Sequence, residues 1–246
     1  MIRQIKKTIS FKAKSLTIHL QSISDKKRLK KLGFRKVEFL TWSPKYLRKY
    51  YSAFSNGNMY FVKITNNDSA SLNEIYVLEK LSLYDFSFIP SIKYLSKDFH
   101  KKSLLVTSYS KGTKFINAIK NETSFDAFCF NAIQILNAFY QIGFVHGDIH
   151  EGNLLVSENG FIELIDFGIG TFVGGEQKTD YKTHFGTYYK IIKDKNRTIR
   201  RYDDAYSFVE FIKTCNVSAE WLNNQSYKEL ESLTGRLFFD VAIDNI

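Results

Sequence analysis

Proline, cysteine and long apolar runs are all scarce in this chain, and each scarcity closes off a class of structure. Two prolines, Pro44 and Pro90, in 246 residues, with no Gly/Ser-rich stretch, leave no flexible linker between separate domains. The two cysteines, Cys129 and Cys215, stand far apart and outside any CxxC or Cys/His cluster. That excludes a disulfide framework and a structural zinc motif and fits a reducing compartment; both read as small buried apolar side chains. No apolar stretch approaches the ~20 residues of a membrane span, and no apolar segment follows the basic N-terminal residues as it would in a signal peptide. Internal repeats and low-complexity blocks are also missing.

Acidic residues are rare in one place. The first fifty residues carry fifteen Lys/Arg against Asp25 and Glu38, a net of +13, whereas the whole chain is +10, so the remainder is slightly acidic. What is present in quantity is apolar and aromatic: 44% hydrophobic and 16% aromatic residues in 28.6 kDa. This is enough for one packed core or two small lobes sharing a cleft.

Ile2, Ile5, Ile9, Ala13, Leu16 and Leu20 recur at helical spacing with Arg3, Lys6, Lys7, Lys12 and Lys14 mostly off that stripe, which predicts a basic amphipathic helix in an extension over residues 1–35. A second basic run, Lys26 to Lys31, precedes Gly33. The period then changes to that of strands over Val37–Trp42, Tyr50–Phe54 and Met59–Ile64, with Asn56-Gly57-Asn58 as a turn. Asn66–Ser69 supplies N-cap chemistry for a helix with Leu72, Ile75, Leu78 and Leu81 on one side. Short strands are expected near Ser91–Leu95 and Ser103–Thr107. Beyond residue 112 the chain reads as helical: Thr123 with Asp126 resembles a capping pair, Phe125 to Phe139 forms an apolar face, and Gly143 suits the stop. A hairpin follows, Leu154–Ser157 and Phe161–Ile165 around Glu158-Asn159-Gly160. Strands first and helices later predict an α+β fold with a small antiparallel N-lobe over 36–110 and a reduced, mainly helical C-lobe over 111–246.

The chemistry is concentrated in His146-Gly-Asp148-Ile-His-Glu-Gly-Asn153, the hairpin, and Asp166-Phe-Gly168. Phosphoryl transfer requires a carboxylate at the attacking hydroxyl and oxygen ligands for the metal that bridges the phosphates. Asp148 suits the first role. Asn153 and Asp166 offer the hard oxygens that Mg²⁺ prefers, and the hairpin would bring Asp166 back beside the loop that carries Asp148.

On these residues the chain resembles the protein-kinase-like superfamily over roughly residues 36–215. The resemblance implies a bilobal kinase fold and use of ATP and Mg²⁺. It further implies Lys63 as the strand lysine on the phosphates, Glu74 as its helix partner (with Glu79 as a fallback), Ser108 and Ser110 in an adenine-binding hinge, and Asp204 as the helix aspartate that braces the catalytic loop; His146 is structural in such proteins.

The chain also departs from the family pattern. No glycine lies between Gly33 and Gly57, so the Gly-rich phosphate loop is missing and Ser43, Lys45 or Arg48 would have to serve instead. Gly147 replaces the arginine of the HRD form, which speaks against control by activation-loop phosphorylation. His150 stands where Ser/Thr protein kinases carry lysine. HGDIHEGN is similar to the loop of aminoglycoside and choline phosphotransferases and, in outline, of bacterial lipopolysaccharide-core and glycan kinases. Phe185-Gly-Thr-Tyr-Tyr189 resembles a protein-kinase activation segment, with no APE motif after it.

Three functions follow as expectations. The first is a kinase for a sugar hydroxyl of an envelope glycan or glycolipid, cytoplasmic and attached peripherally to the inner face of an anionic membrane through its basic N-terminus. The second is a compact Ser/Thr protein kinase whose basic segment recruits an acidic protein. The third is a pseudokinase or binding module, motivated by the missing glycine loop and opposed by the intact Lys63, Glu74, Asp148, Asn153 and Asp166. No motif for specific nucleic-acid recognition is present.

Overall fold

The computed structural model describes residues 17–18, 20–43, 48–175, 180–181, 186–194 and 197–243. The amphipathic stripe from Ile2 to Leu16, and Lys45 in the turn that would replace the glycine loop, lie outside them. The described residues gather into two compact units, one holding residues up to Asn66 together with Lys93–Tyr109, the other Asn67–Ile92 and Ser110 onward. Among the described residues no helix is long and apolar enough to cross a membrane.

The first unit is an antiparallel sheet covered by one helix. Strands β1 (Arg35–Ser43), β2 (Arg48–Ser55), β3 (Asn58–Thr65), β4 (Ile92–Ser96) and β5 (Ser103–Ser108) take the order β1-β2-β3-β5-β4. The β2–β3 turn works because Asn56 and Gly57 both adopt positive φ, 49° and 82°, as a two-residue hairpin of this twist requires. The register sets Tyr51, Val62 and Val106 side by side, with Lys49, Ile64 and Leu104 in the next row. That face buries Tyr51, Val62, Ile64, Leu104 and Val106 with Leu29 of helix α1 (residues 20–31). Because side chains alternate, the same face receives Lys49. Its ammonium pairs with Asp25 of α1, both within 2% of full burial, and the Tyr51 hydroxyl donates to the same carboxylate oxygen at 2.9 Å. Part of the second basic run is thus the solvent side of a helix whose other side is core. Lys63 alternates to the opposite face, between Tyr50 and Leu105.

The second unit begins with α2 (Ser69–Leu81), capped by Asp68, whose carboxylate accepts from Ser71 N at 2.8 Å. After it, Tyr84, Phe86 and Phe88 stack with ring centroids 5.3 and 4.9 Å apart, and Phe86 and Phe88 meet Phe139 edge-on. Helices α3 (Phe115–Ala118) and α4 (Glu122–Ile142) follow. The cap of α4 is Asn121, not Thr123: Asn121 is extended (φ −152°, ψ 170°) and exchanges side-chain bonds with Ser124 in a capping box, which moves the helix start two residues earlier. Gly143 ends it in the left-handed region (φ 64°). Short strands β6 (Phe144–Val145) and β9 (Thr171–Phe172) pair, as do β7 (Leu154–Val156) and β8 (Ile162–Leu164). Helices α5 (Asp204–Thr214) and α6 (Gln225–Ser232) complete the helical layer.

One element is not foreshadowed by the sequence pattern as read above. Strands β10 (Lys190–Asp194), β11 (Arg197–Tyr202) and β12 (Phe239–Ile243) form a separate sheet in that order. A buried cluster of Tyr181, Tyr202 and Phe239 packs with Val145 and Ile169 beside it. The architecture is α+β, with strands distributed through the second unit as well as the first.

Candidate active site

The loop carrying Asp148 is fixed from inside the second unit by two buried side chains. Asp204, at the start of α5, accepts from the backbone N–H of His146 at 2.7 Å and of Gly147 at 2.9 Å, one on each carboxylate oxygen. Burial pushes its carboxyl up to about 7, against the pull of those two donors. His146, fully buried, accepts from Asp148 N on Nδ1 at 3.3 Å and meets the Ile165 carbonyl through Nε2 at 3.2 Å. One proton, on Nε2, satisfies both bonds, so the ring is neutral, in keeping with a pKa lowered by burial. It lies 4.7 Å from the Phe167 ring. The imidazole therefore ties the catalytic loop to the loop carrying Asp166, the structural role its sequence position implies.

Asp148 is gathered with Asn153 and Asp166. The Asn153 amide donates to the Asp148 carbonyl at 2.9 Å and to its Oδ2 at 3.1 Å. Ile165 N, next to Asp166, donates to the Asn153 carbonyl at 3.1 Å. With both Asn153 N–H groups turned to Asp148, the amide oxygen points the other way, and with the Asp166 carboxylate it provides the hard-oxygen donors that fit Mg²⁺. Asp166 holds a left-handed backbone (φ 61°), uncommon for a residue other than glycine and frequent at functional sites. Among the described residues no cluster of three or more His, Cys, Asp or Glu competes as a metal site.

Two further groups face Asp148. His150 Nε2 lies 3.6 Å from Oδ2, and that neighbouring carboxylate raises its pKa above the ordinary imidazole value. On the other oxygen, Thr187 donates from both its backbone N–H, at 2.9 Å, and its hydroxyl, at 3.2 Å. A close backbone approach makes this possible: a Cβ at Gly186 would sit 2.0 Å from the Gly147 carbonyl oxygen, and Gly147 itself has φ 76°. A pair of glycines is therefore what lets the segment around Thr187 reach Asp148.

The remaining sequence-derived positions distribute between the units. Lys63 is buried on β3 and Ser108 ends β5, both in the first unit. Glu74, 5% exposed on α2, and Ser110 belong to the second. Ser43 ends β1 and pairs in register with the buried Arg48. Three residues were not anticipated. Asn73 donates across 95 residues of sequence to the loop after Asp166. Thr187 enters the sequence reading only within the Phe185–Tyr189 motif, although its adjacency to a glycine is a mark of close approach. Glu163, opposite Leu155 on the hairpin, has Oε1 buried without a partner and a carboxyl raised by that burial, partly offset by the Ser110 hydroxyl.

A family model, the ABC1 atypical kinase-like domain, matches residues 72–202, more than half of the chain. The chain belongs to the ABC1 atypical kinase-like family. Among curated proteins, it is 35% identical over 115 residues to the serine/threonine-protein kinase CBK1 of Yarrowia lipolytica, covering 46% of this chain and 17% of that one. It is 28% identical over 145 residues to the Citron Rho-interacting kinase of Mus musculus, covering 54% and 7%, and 28% over 142 residues to the serine/threonine-protein kinase SSK22 of Saccharomyces cerevisiae, covering 52% and 11%. The chain thus spans less than a fifth of the length of these relatives. The matched span contains Asp148, Asn153 and Asp166; a likeness to bacterial glycan kinases is not among these matches.

Proposed function

We propose that this member of the ABC1 atypical kinase-like family is an ATP- and Mg²⁺-dependent phosphotransferase whose acceptor is a serine or threonine hydroxyl of a protein. The observation that carries the acceptor class is Thr187, seated on Asp148 by two bonds. A segment that lines the catalytic carboxylate with main chain presents a surface for another main chain, whereas a small sugar would more naturally be met by side chains. The names of the related serine/threonine kinases support the same reading.

Bound Mg–ATP supplies the transferable γ-phosphoryl group and the cation that offsets its charge. The acceptor oxygen bonds to the γ-phosphorus as the bridge to the β-phosphate breaks. The hydroxyl proton passes to Asp148, whose Oδ2 is steadied by Asn153 and His150 and Oδ1 by Thr187. Asn153 and Asp166 would hold the cation. By the kinase pattern, Lys63 takes the phosphate-facing role and Glu74 that of the helix glutamate, and Ser108 and Ser110 are assigned to adenine binding.

A second reading keeps a glycan or glycolipid hydroxyl as acceptor, with attachment to an anionic membrane surface through the basic N-terminus; the observation favouring it is His150, in place of lysine, beside Asp148. Incubation with γ-labelled ATP, Mg²⁺ and a fractionated cell extract separates the two. Label in protein bands, lost with Asp148→Asn, supports the protein acceptor. Label confined to glycan or lipid fractions moves the second reading ahead, and no transfer with no ATP binding leaves only a binding module.

A further inference from the structure

The first turn of α2 is bolted to the loop that carries Asp166. Asn73 is 3% exposed, and its amide nitrogen donates to two carbonyls, Gly168 at 3.1 Å and Gly170 at 2.9 Å. Both acceptors lie just after Asp166, and both amide protons of the side chain are used. The surroundings leave no slack. A Cβ on Gly168 would meet the Ala70 carbonyl oxygen at 3.3 Å and the Ala70 Cβ at 3.4 Å, so this loop and the first turn of α2 touch backbone to backbone. Further along the chain, Asp180 N donates to Ser69 Oγ at 3.3 Å. Gly170 N closes a turn onto the Phe167 carbonyl at 3.1 Å, which aims the Gly170 carbonyl back toward the helix.

Resting on the phosphotransferase reading above, we propose that Asn73 is a positioning residue that holds the Asp166 loop in its metal-binding shape by clamping it to α2. The physical reason is the geometry of an amide between two carbonyls. Asp166 has a positive φ, a conformation the chain adopts only where its surroundings over-determine it. Two buried hydrogen bonds on the carbonyls two and four residues later provide that constraint. Removing the donors takes a buried hydrogen bond from each of the two carbonyl oxygens, a loss that a shift of the loop would relieve. The metal ligand shifts with it. Since Glu74 is the next residue of the same helix, the clamp also makes α2 and the metal loop one moving part.

The test is direct metal binding, read by Mn²⁺ electron paramagnetic resonance with ADP present, alongside thermal unfolding. Asn73→Ala removes both donors; Asn73→Asp keeps the shape and sets a carboxylate against two carbonyls. Loss of a group that orients a metal ligand commonly costs 10- to 100-fold in affinity, so the Mn²⁺ dissociation constant should rise about tenfold for Asn73→Ala and more for Asn73→Asp. Metal-free ADP binding should stay unchanged, and the Mg²⁺ concentration for half-maximal phosphotransfer should rise in parallel with the maximal rate largely retained. Should the variants fail to fold, hydrogen exchange on the unaltered protein decides: Mn²⁺ with ADP should slow exchange in residues 70–77 together with 166–171. Unchanged metal affinity in folded variants, or protection of the metal loop without α2, overturns the clamp alone. An unaltered protein that binds no metal overturns the phosphotransferase reading, and the clamp with it.

Discussion

Replacing Asp204 by asparagine isolates what a buried carboxylate does beneath the catalytic loop. Each oxygen accepts one backbone N–H, from His146 at 2.7 Å and Gly147 at 2.9 Å, in a residue 3% exposed. At pH 5 the neutral carboxyl still offers a lone pair on its hydroxyl oxygen to the second N–H, whereas the amide nitrogen offers only donors, so in the variant one backbone N–H faces another N–H. An unsatisfied buried donor costs about 1–3 kcal/mol, and here two donors oppose each other, so at pH 5 the variant should be less stable by about 3 kcal/mol. The pH dependence has a definite sign. Burial raises the folded carboxyl from 3.8 to about 7, so the stability it confers is full below 3.8 and is lost as pH rises through about 7. At about 1.4 kcal/mol per unit, the unaltered protein loses on the order of 3 kcal/mol from this group between pH 5 and 8. Asp204→Asn lacks that slope, so the gap between the two proteins should close over the interval. Urea unfolding at pH 5, 6, 7 and 8 measures it. Parallel stability curves, or a variant as stable as the parent at pH 5, would refute the reasoning.

Other perturbations follow from named contacts. Breaking the Lys49–Asp25 pair by Lys49→Met should cost about 3–5 kcal/mol in chemical unfolding, because it strands a buried carboxylate, and adding Asp25→Leu should recover most of that loss. Asn121→Ala should cost about 1 kcal/mol through the cap of α4, whereas Thr123→Ala should cost little. His150 is held above its ordinary pKa by Asp148, so Asp148→Asn should lower the pH at which the His150 ring titrates by NMR; no change would mean that the two groups do not interact. Thr187→Val keeps the backbone bond and removes the hydroxyl, and should weaken transfer to a peptide acceptor while leaving ADP binding intact.

The legible parts of this protein are those whose signal is local. Asp148 and Asn153 are five residues apart on one loop, and a hairpin of readable turn chemistry returns Asp166 to them. The sheet of the first unit was legible for the same reason, since alternation and the Asn56-Gly57 turn specify its register within a few residues. What escaped depends on distant pairing. β11 finds β12 across a gap that the Arg201–Asp240 ion pair bridges with bonds of 2.8 Å, and no periodicity announces such a partner. The clue that was present is the β-branched residues Ile191, Ile192, Thr198 and Ile199 on either side of a polar stretch of sequence. Lys49 looks like a solvated strand lysine until the register puts it under α1, and Asn73 looks like a surface helix residue until the fold carries Gly168 to it. The Thr123 cap failed because Asn, Thr and Ser are crowded there, and only backbone conformation selects Asn121 among them.

The central claim is that Asp148 and Asp166 form a working phosphotransfer site. Its most direct test measures transfer of label from γ-labelled ATP in the presence of Mg²⁺ for the unaltered protein, Asp148→Asn and Asp166→Ala, each shown to be folded. The account predicts metal-dependent transfer that falls about 10²–10⁴-fold for Asp148→Asn, the range for a positioned acid or base, and disappears for Asp166→Ala. Full activity in both folded variants would contradict it.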